Sequence, residues 1–378
     1  MAIPFCDHHI AAFLSRYASG KAPLDLALSG YFKSHKSLGA RDRKTIGEAV
    51  FGMVRWKTLL DHLCPSPDPL ERFRLYKTLD FNRTLSDPSI PEPARLGVPE
   101  TLFEELAADY GKPEARRLCR ILNTQAPVTV RINPLKTTRD SLLSRWAEHG
   151  AAPCEQTPHG IRFPKRLPLF SFPEFKEGLF EVQDEGSQRV ASLVAANPGE
   201  TILDFCSGSG GKSLAFAPGM GGKGQIYLHD IRLHALQEAK KRFRRAGIQN
   251  AQFLPPGHSQ FSRLKNKCDW VLIDVPCSGS GTLRRNPDQK WNFDAPMLER
   301  LVQTQRQIAE AALPFVKPGG KLVYATCSIL SKENQSQIAF FLNTYPLRLA
   351  HPLLSLLPEE GGADGFFAAV FQKINPVV

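Results

Sequence analysis

Apolar residues change their spacing twice along the chain, and these changes divide it into three parts. In residues 8–63 they recur every three or four positions, as in Ile46, Val50 and Met53. This period is typical of amphipathic helices that bury one face. Residues 1–84 are therefore predicted to form a helical domain.

The second part, residues 85–182, mixes short helical and strand patterns. Four prolines in residues 85–100 should break any helix there, and they indicate a linker. Helices are expected at 100–110, 113–123 and 138–149, the last capped by Thr137 or Thr138. Strands are expected at 128–133, 160–163 and 179–182. A small α+β module of ferredoxin-like or RNA-recognition-motif-like type results, with the size of an RNA-binding appendage.

In the third part, residues 183–378, strands and helices alternate regularly. Strand-length apolar runs occupy residues 201–205, 225–228, 251–254, 269–273 and 321–325, with helical patterns between most of them. Alternation of this kind predicts an α/β fold with a doubly wound parallel sheet. Residues 347–350 and 366–372 could extend the sheet as an antiparallel pair.

Two strands of this sheet end beside a cysteine. Asp274, Pro276 and Cys277 follow one apolar run, and Cys327 follows another. Ligands of open parallel sheets bind beyond the carboxyl ends of the strands. A single cysteine is most often a small core residue, but two cysteines in equivalent polar turns favour a catalytic site.

A glycine-rich loop, Asp204 to Ser213, joins the strand predicted at residues 201–205 to a helix. Its sequence DFCSGSGGKS lacks the first glycine of a phosphate-binding P-loop, since Cys206 occupies that position, and the dinucleotide pattern fails at Ser213. Asp230 ends the next strand, where a ribose-binding carboxylate is found in such sheets. These features favour S-adenosylmethionine, which carries no phosphate, over a nucleotide.

The residues expected to contact this cofactor belong to the loop and to the ends of neighbouring strands: Asp204, Cys206, Ser207, Gly208, Ser209, Gly210, Gly211, Lys212, Asp230, Arg232, Asp274 and Pro276.

Charge and cysteine content narrow the function classes. Lys and Arg exceed Asp and Glu by 48 to 37, a net charge of +11, which favours nucleic acid over a membrane surface as partner. No apolar run has the length of a transmembrane helix, and the amino terminus lacks a signal-peptide pattern. None of the eight cysteines has C-x-x-C spacing, so no metal site is predicted. We expect a monomeric, cytoplasmic protein with reduced thiols.

Several of these motifs together resemble the Sun/Fmu (RsmB-like, NOL/NOP/Sun) family of RNA cytosine-5 methyltransferases. The motifs are QDEGS at 183–187, DFCSGSGGKS at 204–213, DVPCSGSG at 274–281 followed by RRNPDQKW, ATCS at 325–328, and DGFFAAVFQK at 364–373. Residues 38–56, LGARDRKTIGEAVFGMVRW, are similar to the NusB-like RNA-binding domain of RsmB-type members. The resemblance implies a class I, Rossmann-like methyltransferase domain over residues 183–378, preceded by a NusB-like helical domain and the small α+β module.

The resemblance also implies roles for the site residues. Cys327 would add to carbon 6 of a cytosine, Asp274 would bind the base at its Watson–Crick edge, and Cys277 would help to remove the carbon 5 proton. The substrate would be ribosomal RNA of the small subunit, with transfer RNA as the alternative. A non-catalytic, RNA-binding assembly factor on the same fold is a further alternative, and a nucleotide-hydrolysing P-loop protein is a more distant one.

Two positions depart from the family pattern. Ser209 stands where family members usually have proline, and residues 254–258, after the third strand, contain no carboxylate for the adenosine end of the cofactor. We therefore expect other contacts to hold the cofactor, or its affinity to be reduced. Arg284, Arg285 and Lys290 could hold RNA phosphates, or they could lie in a solvated loop.

Overall fold

The computed structural model describes residues 3–17 and 22–374, which fall into two compact units. The first comprises the chain up to Gln125 together with Ser278–Glu299, and the second comprises Ala126–Cys277 and the chain from Arg300 onward. The domain ranges 1–84, 85–182 and 183–378 stay predictions. Within the described ranges, no helix has the length and apolar character needed to cross a membrane.

The first unit is built from helices around an apolar core, as the three- and four-residue spacing predicts. Its helices are α1 (Phe5–Arg16), α2 (Leu24–Ser34), α3 (Ala40–Arg55), α4 (Lys57–Leu63), α5 (Pro69–Thr78), α6 (Phe81–Ser86), α7 (Glu92–Arg95), α8 (Glu100–Tyr110) and α9 (Lys112–Leu122). Ile10, Ile46 and Val50 are completely buried in this core.

The proline-rich stretch contains a helix, and the prediction that its prolines exclude one is wrong. Residues Glu92–Arg95 form one turn, α7, with Pro91 as the N-cap and Pro93 in the first turn. Proline is tolerated there because the first N–H groups of a helix have no intrahelical acceptor.

Residues Ser278–Glu299 leave the strand that ends near Cys277 and belong to the helical unit. Trp291 packs against its apolar core and donates from Nε1 to the Val54 carbonyl at 3.0 Å. Asp288 accepts hydrogen bonds from the Tyr17 hydroxyl and the Leu24 backbone N–H, both at 3.2 Å. All three hydrogen bonds join residues more than 230 positions apart in sequence.

Lys290 is a buried cation of this segment, with 2% of its surface exposed. Its ammonium group donates to the carbonyls of Arg55 and Gly97 at 2.8 Å and to Asn123 Oδ1 at 2.7 Å. Arg284 is also buried, with 1% exposed. The prediction that these two side chains hold RNA phosphates or lie in a solvated loop is therefore wrong.

The second unit begins with a small antiparallel sheet of order β2-β3-β1-β4. Its elements are β1 (Val128–Ile132), α10 (Arg139–Arg145), β2 (Ala152–Pro153), β3 (Gly160–Phe163), α11 (Pro173–Lys176) and β4 (Phe180–Val182). Helix α10 is shorter than the predicted 138–149, and Thr138 caps it by accepting from the Ser141 N–H at 3.3 Å.

The rest of the second unit is a doubly wound α/β fold, as predicted. Its elements are α12 (Glu185–Ala191), β5 (Thr201–Asp204), α13 (Ser213–Phe216), β6 (Gln225–His229), α14 (Leu233–Ala246), β7 (Ala251–Leu254), α15 (Gln260–Leu264), β8 (Cys268–Asp274), α16 (Ala295–Ala312), β9 (Val316–Thr326), α17 (Gln335–Thr344), β10 (Leu347–Leu349), β11 (Leu354–Leu356) and β12 (Phe366–Lys373). Helix α16 begins in the segment that belongs to the first unit.

The large sheet has the order β10-β12-β9-β8-β5-β6-β7, with β11 also paired to β12. Strands β5 to β9 pair in parallel, whereas β12 joins β9, β10 and β11 antiparallel, so the predicted terminal pair is confirmed. From β5 the strand order runs outward to β6 and β7 on one side, and the chain then returns to place β8 on the other side of β5. Ligands of such sheets bind at this switch point.

Candidate active site

The two predicted cysteines meet at the carboxyl ends of β8 and β9. Asp274 lies opposite Ala325 in the parallel register, which brings the turns after both strands side by side. The sulfur atoms of Cys277 and Cys327 are 3.3 Å apart. A disulfide bond would be about 2.05 Å long, so both side chains are thiols in hydrogen-bond contact.

Buried polar side chains hold both turns. Gln305 donates from Nε2 to the Pro276 carbonyl at 3.1 Å and to Glu333 Oε1 at 2.9 Å. Thr326, next to Cys327, donates from Oγ1 to Asn334 Oδ1 at 2.7 Å. Because these groups have little solvent access, their hydrogen bonds fix the backbone on which the two thiols stand.

Lys212, from the glycine-rich loop, forms an ion pair with Asp274. Burial alone would lower the pKa of Lys212, but the carboxylate of Asp274 outweighs it, and Cys327 and Asp204 add to the net increase. The side chain of Lys212 is 11% exposed, so its charge acts in a poorly solvated place. A fixed cation thus lies close to both the Asp274 carboxylate and the Cys327 thiol.

The loop between β5 and α13 borders a cavity of about 320 Å³. Its walls include Asp204, Ser207, Gly208 and Asp274. Gly208 has a φ of +53°, in the left-handed region that glycine adopts without cost. The loop can therefore present its backbone directly to a bound molecule.

Asp204 is nearly inaccessible, with 1% of its surface exposed. The Ser213 hydroxyl donates to its Oδ2 at 2.6 Å, whereas Oδ1 has no partner among the described residues. Burial raises the pKa of Asp204 to about 7 in spite of the Ser213 hydrogen bond, and the neighbouring Asp274 carboxylate contributes to the increase. Gln183, on the same cavity, likewise has an unpartnered buried oxygen within the described ranges.

Asp230, at the end of β6, organises the far side of the loop. Its Oδ2 accepts from the Gly208 N–H at 2.8 Å, and its two oxygens accept from the Arg232 guanidinium at 2.9 and 3.0 Å. Burial would raise the pKa of Asp230, but the hydrogen bonds from Arg232 and Gly208 hold it below its usual range. In this structure Arg232 is thus engaged with Asp230.

Arg242, on α14, is a cavity residue that the sequence analysis did not single out. Its Nη1 donates to the Ser209 carbonyl at 2.9 Å and to Ser209 Oγ at 2.7 Å, and its other nitrogens pair with Glu181 at 3.0 and 3.2 Å. The serine that replaces the usual proline is therefore fastened to the small sheet through an arginine. The only sequence signal was the basic run 240–245, which is equally compatible with a solvated helix face.

The predicted cofactor residues fall into two groups. Eight of them line the cavity: Asp204, Cys206, Ser207, Gly208, Ser209, Gly211, Lys212 and Asp274. The others are near it without forming its wall: Gly210, Asp230, Arg232 and Pro276. Cavity residues that were not predicted are Val182, Gln183, Asp184, Ser187 and Arg242.

Comparison with known proteins gives two family matches, one over most of the large α/β part and one that begins in the helical unit and extends into the small sheet. The family described as "16S rRNA methyltransferase RsmB/F" matches residues 191–372, and the "Methyltr_RsmF/B-like, ferredoxin-like domain" matches residues 98–169. A probable ribosomal RNA small subunit methyltransferase B of Synechocystis is 35% identical over 299 residues, which are 73% of this chain and 66% of that protein. The ribosomal RNA small subunit methyltransferase B of Citrobacter koseri is 32% identical over 295 residues, 74% of this chain and 67% of its own length.

This chain belongs to the RsmB/F methyltransferase family. The predicted family is thereby confirmed, and the matches span about two thirds of the length of the two relatives, 66% and 67%. A solved structure described as that of PH0851 has the same fold, with a TM-score of 0.83 and 23% identity over 99% of this chain and all of that one. The predicted fold class, a Rossmann-like methyltransferase domain with a helical and a ferredoxin-like part before it, is also confirmed.

S-adenosylmethionine, the cofactor predicted from the loop, is the cofactor of the RsmB/F family. The cavity fits this cation, because Asp204 and Gln183 place unpartnered buried oxygens there and the glycine loop lets backbone groups approach. When bound, the cofactor supplies an electrophilic methyl group. At the end of β7, the Leu254 carbonyl contacts His229 Nδ1 at 2.8 Å, and Pro255 and Pro256 follow without a carboxylate. The reduced cofactor affinity expected from this departure stays a prediction.

Cofactor affinity should depend on pH through Asp204. Only the ionised carboxylate attracts a cation, and with a pKa of about 7 its ionised fraction rises steeply between pH 5.5 and pH 7. We expect the affinity for S-adenosylmethionine to increase about tenfold over this range, while the α-amino group of the cofactor stays protonated. Titration calorimetry at several pH values measures this.

The matched control for this measurement is Asp204→Asn. It should bind more weakly at pH 7 and show a nearly flat profile, since its amide does not titrate in this range. A flat profile for the unmodified protein would contradict a role of Asp204 as the counter-charge of the cofactor.

Proposed function

We propose that this chain transfers the methyl group of S-adenosylmethionine to carbon 5 of a cytosine in RNA, through a covalent cysteine–cytosine intermediate. The observation that carries the proposal is the pair of thiols, whose sulfur atoms are 3.3 Å apart. They follow the paired ends of β8 and β9, where Asp274 lies, and Asp274 is on the wall of the cofactor cavity. Carbon 5 of cytosine is a poor nucleophile, so a reaction there needs a thiolate that first adds to carbon 6. Two thiols suit an addition followed by an elimination.

Each side chain has a defined task in this scheme. Cys327, in the position of the family nucleophile, adds through Sγ to carbon 6 and makes carbon 5 electron-rich. After methylation Cys277 accepts the carbon 5 proton, which allows the bond from carbon 6 to Cys327 to break. Asp274 binds the base at its Watson–Crick edge, and Lys212 supplies positive charge that favours the thiolate form of Cys327.

The substrate we propose is small-subunit ribosomal RNA. The names of the relatives and the net charge of +11 support it. The target cytosine must be unpaired or turned out of its helix to reach thiols that lie in turns at a sheet edge. We propose that the protein works as a monomer in the cytoplasm, where its thiols stay reduced.

A trapped intermediate tests the mechanism and identifies the RNA. In cells that express Cys277→Ala, RNA is expected to stay attached to the protein through denaturing electrophoresis, because the adduct forms but is not resolved. The double variant Cys277→Ala/Cys327→Ala is the matched control and should carry no RNA. Sequencing the attached RNA distinguishes ribosomal from transfer RNA.

An adduct that persists without Cys327 would contradict the assignment of the nucleophile. The absence of a carboxylate after β7 favours a second function, that of a non-catalytic RNA-binding assembly factor. No adduct in the single variant, combined with no binding of S-adenosylmethionine by the unmodified protein, would favour that function.

A further inference from the structure

A second, larger cavity of about 530 Å³ lies in the same unit and shares no residue with the cofactor cavity. It is enclosed by residues of the small module, such as Arg131 and Thr157, by residues after α12, such as Val194, and by the end of α13, such as Phe216. Ser192 and Ala195 on its rim are exposed, so it opens to solvent. Its size lies within the range of about 300–1,000 Å³ that is typical of small-molecule sites.

Arg131 gives this cavity a buried positive charge. The residue is 5% exposed, and its Nη1 donates to the Leu214 carbonyl at 2.6 Å. No acceptor for Nε is found among the described residues, and the guanidinium forms no ion pair there; nearby Glu181 pairs with Arg242 and Arg245 instead. Glu181 lies opposite Arg131 on β4 and offsets part of its charge, but this one carboxylate is shared with Arg242 and Arg245. A buried guanidinium that is only partly neutralised is costly to the folded state, and an anion in the cavity would offset that cost.

Two neutral side chains on the wall also carry hydrogen-bond acceptors that are unused in the described ranges. Gln188 donates from Nε2 to the carbonyls of Gln183 and Val130 at 3.0 and 3.4 Å, which leaves its Oε1 as an unused acceptor. The hydroxyl of Thr157 has the Cys154 thiol as its neighbour and keeps its capacity to accept a hydrogen bond. Both residues are more than nine-tenths buried, at 5% and 6% exposed. A donor, an acceptor and a hydroxyl therefore converge on one cavity.

The rest of the wall is apolar and the local potential is positive. Phe216, Pro158 and Pro218 supply flat apolar surface, of the kind on which nucleic acid bases stack. Burial lowers the pKa of His159 on the same wall, and the charges of Arg131 and Arg139 lower it further. An anionic group with a planar apolar body matches this combination.

We propose that this cavity binds a nucleotide, with the phosphate on the Arg131 guanidinium and the base against the apolar wall, within reach of Gln188 and Thr157. Guanidinium–phosphate contacts are among the stronger charge-assisted hydrogen bonds of proteins. The nucleotide is either a residue of an RNA chain or a free nucleoside phosphate, since both present the same chemistry. The site lies apart from the two thiols and does not depend on the proposed methyl transfer.

Titration calorimetry with the full chain tests the proposal, using uridine 5′-monophosphate and uridine as probes in the presence of saturating S-adenosylhomocysteine. The monophosphate is expected to bind at least about tenfold more tightly than uridine, because only it has a partner for Arg131. The variant Ala195→Trp fills the rim from an exposed position and should weaken monophosphate binding at least about tenfold. Ala311→Trp, at an exposed position of α16 that is not part of the cavity wall, is the matched control and should bind like the unmodified protein.

The same variants, titrated with a five-nucleotide single-stranded oligouridylate, distinguish the two sources. If only the oligonucleotide binds, and Ala195→Trp weakens it at least about tenfold, the occupant is a nucleotide of an RNA chain. If the monophosphate binds and the oligonucleotide is unaffected by Ala195→Trp, the occupant is a free nucleotide. Arg131→Gln gives a second reading that is independent of the rim. Binding of both probes that is unchanged in Ala195→Trp and Arg131→Gln, or no binding of either probe, overturns the proposal.

Discussion

Replacing Cys327 with serine is expected to lower the rate of methyl transfer by about 10⁴-fold or more. Serine has nearly the same shape, but its hydroxyl is a far weaker nucleophile than a thiolate, and loss of a covalent nucleophile has effects of this order in enzymes. The assay is incorporation of labelled methyl groups into small-subunit ribosomal RNA. Binding of S-adenosylmethionine should be retained, since Cys327 is not on the wall of the cofactor cavity.

Two further variants separate the role of Cys327 from a general effect of cysteine replacement and from the role of Cys277. Cys64→Ser, at the end of α4 in the helical unit, controls for the general effect of replacing a cysteine and should keep its activity. Cys277→Ser should also turn over very slowly, but it should accumulate the adduct that Cys327→Ser cannot form. If Cys327→Ser keeps more than about a hundredth of the activity and Cys277→Ser forms no adduct, the roles of the two thiols are reversed.

Replacing Lys290 with methionine is expected to lower the free energy of unfolding of the helical unit by about 3 kcal/mol. The change removes the donor for three acceptors, the carbonyls of Arg55 and Gly97 and the side chain of Asn123, and each buried acceptor left unpaired costs about 1 kcal/mol or more. Hydrogen-exchange mass spectrometry in urea reports on the two units separately. The control is Lys44→Met, whose side chain is 76% exposed and whose replacement should change the free energy of unfolding by less than about 0.5 kcal/mol.

The difference in the free energy of unfolding between the unmodified protein and Lys290→Met should increase as the pH rises. Burial lowers the pKa of Lys290 to about 7, and the charge of Arg55 acts in the same direction, whereas the unfolded chain has a lysine pKa of about 10.4. Above pH 7 the unfolded chain therefore holds a proton that the folded protein has released, and the free energy of unfolding increases with pH. Below pH 7 both states are protonated and this contribution is constant.

The stability difference between the unmodified protein and Lys290→Met should thus grow by about 2 kcal/mol from pH 7 to pH 9. Other groups titrate in both proteins and cancel in the comparison. A difference that stays constant over this range would show that Lys290 remains charged in the folded state.

The sequence predicted the secondary structure best where one periodicity persists without interruption. Helix α8, Glu100–Tyr110, and strand β7, Ala251–Leu254, have the predicted ends. The thiol pair was also predictable, because parallel strands present their carboxyl ends at one edge of the sheet. Two cysteines that each follow such a strand are therefore brought together by topology, whatever the details of packing.

Long-range partners were not predictable, since composition does not show which charges are buried. Lys290 looked like a surface cation of a basic loop, and only its acceptors in the helical unit, up to 235 residues away, show that it is a core residue. Arg242 belongs to the basic run 240–245, which is equally compatible with a solvated helix face, but in the structure it contacts Glu181 and Ser209. In both cases the decisive partner lies on another element, and no local pattern encodes it.

The placement of Ser278–Glu299 in the helical unit has a consequence for how the protein is made. A ribosome releases the chain from its amino terminus, so Asn123 emerges 167 residues before the lysine that it will bind. The helical unit lacks the contacts of Lys290 and Trp291 until β1 to β8 have been synthesised. Its last core contacts thus form only after the small sheet and four of the eight strands of the large sheet have been synthesised. Domains normally fold in order of synthesis, whereas these two units are completed in an interleaved order.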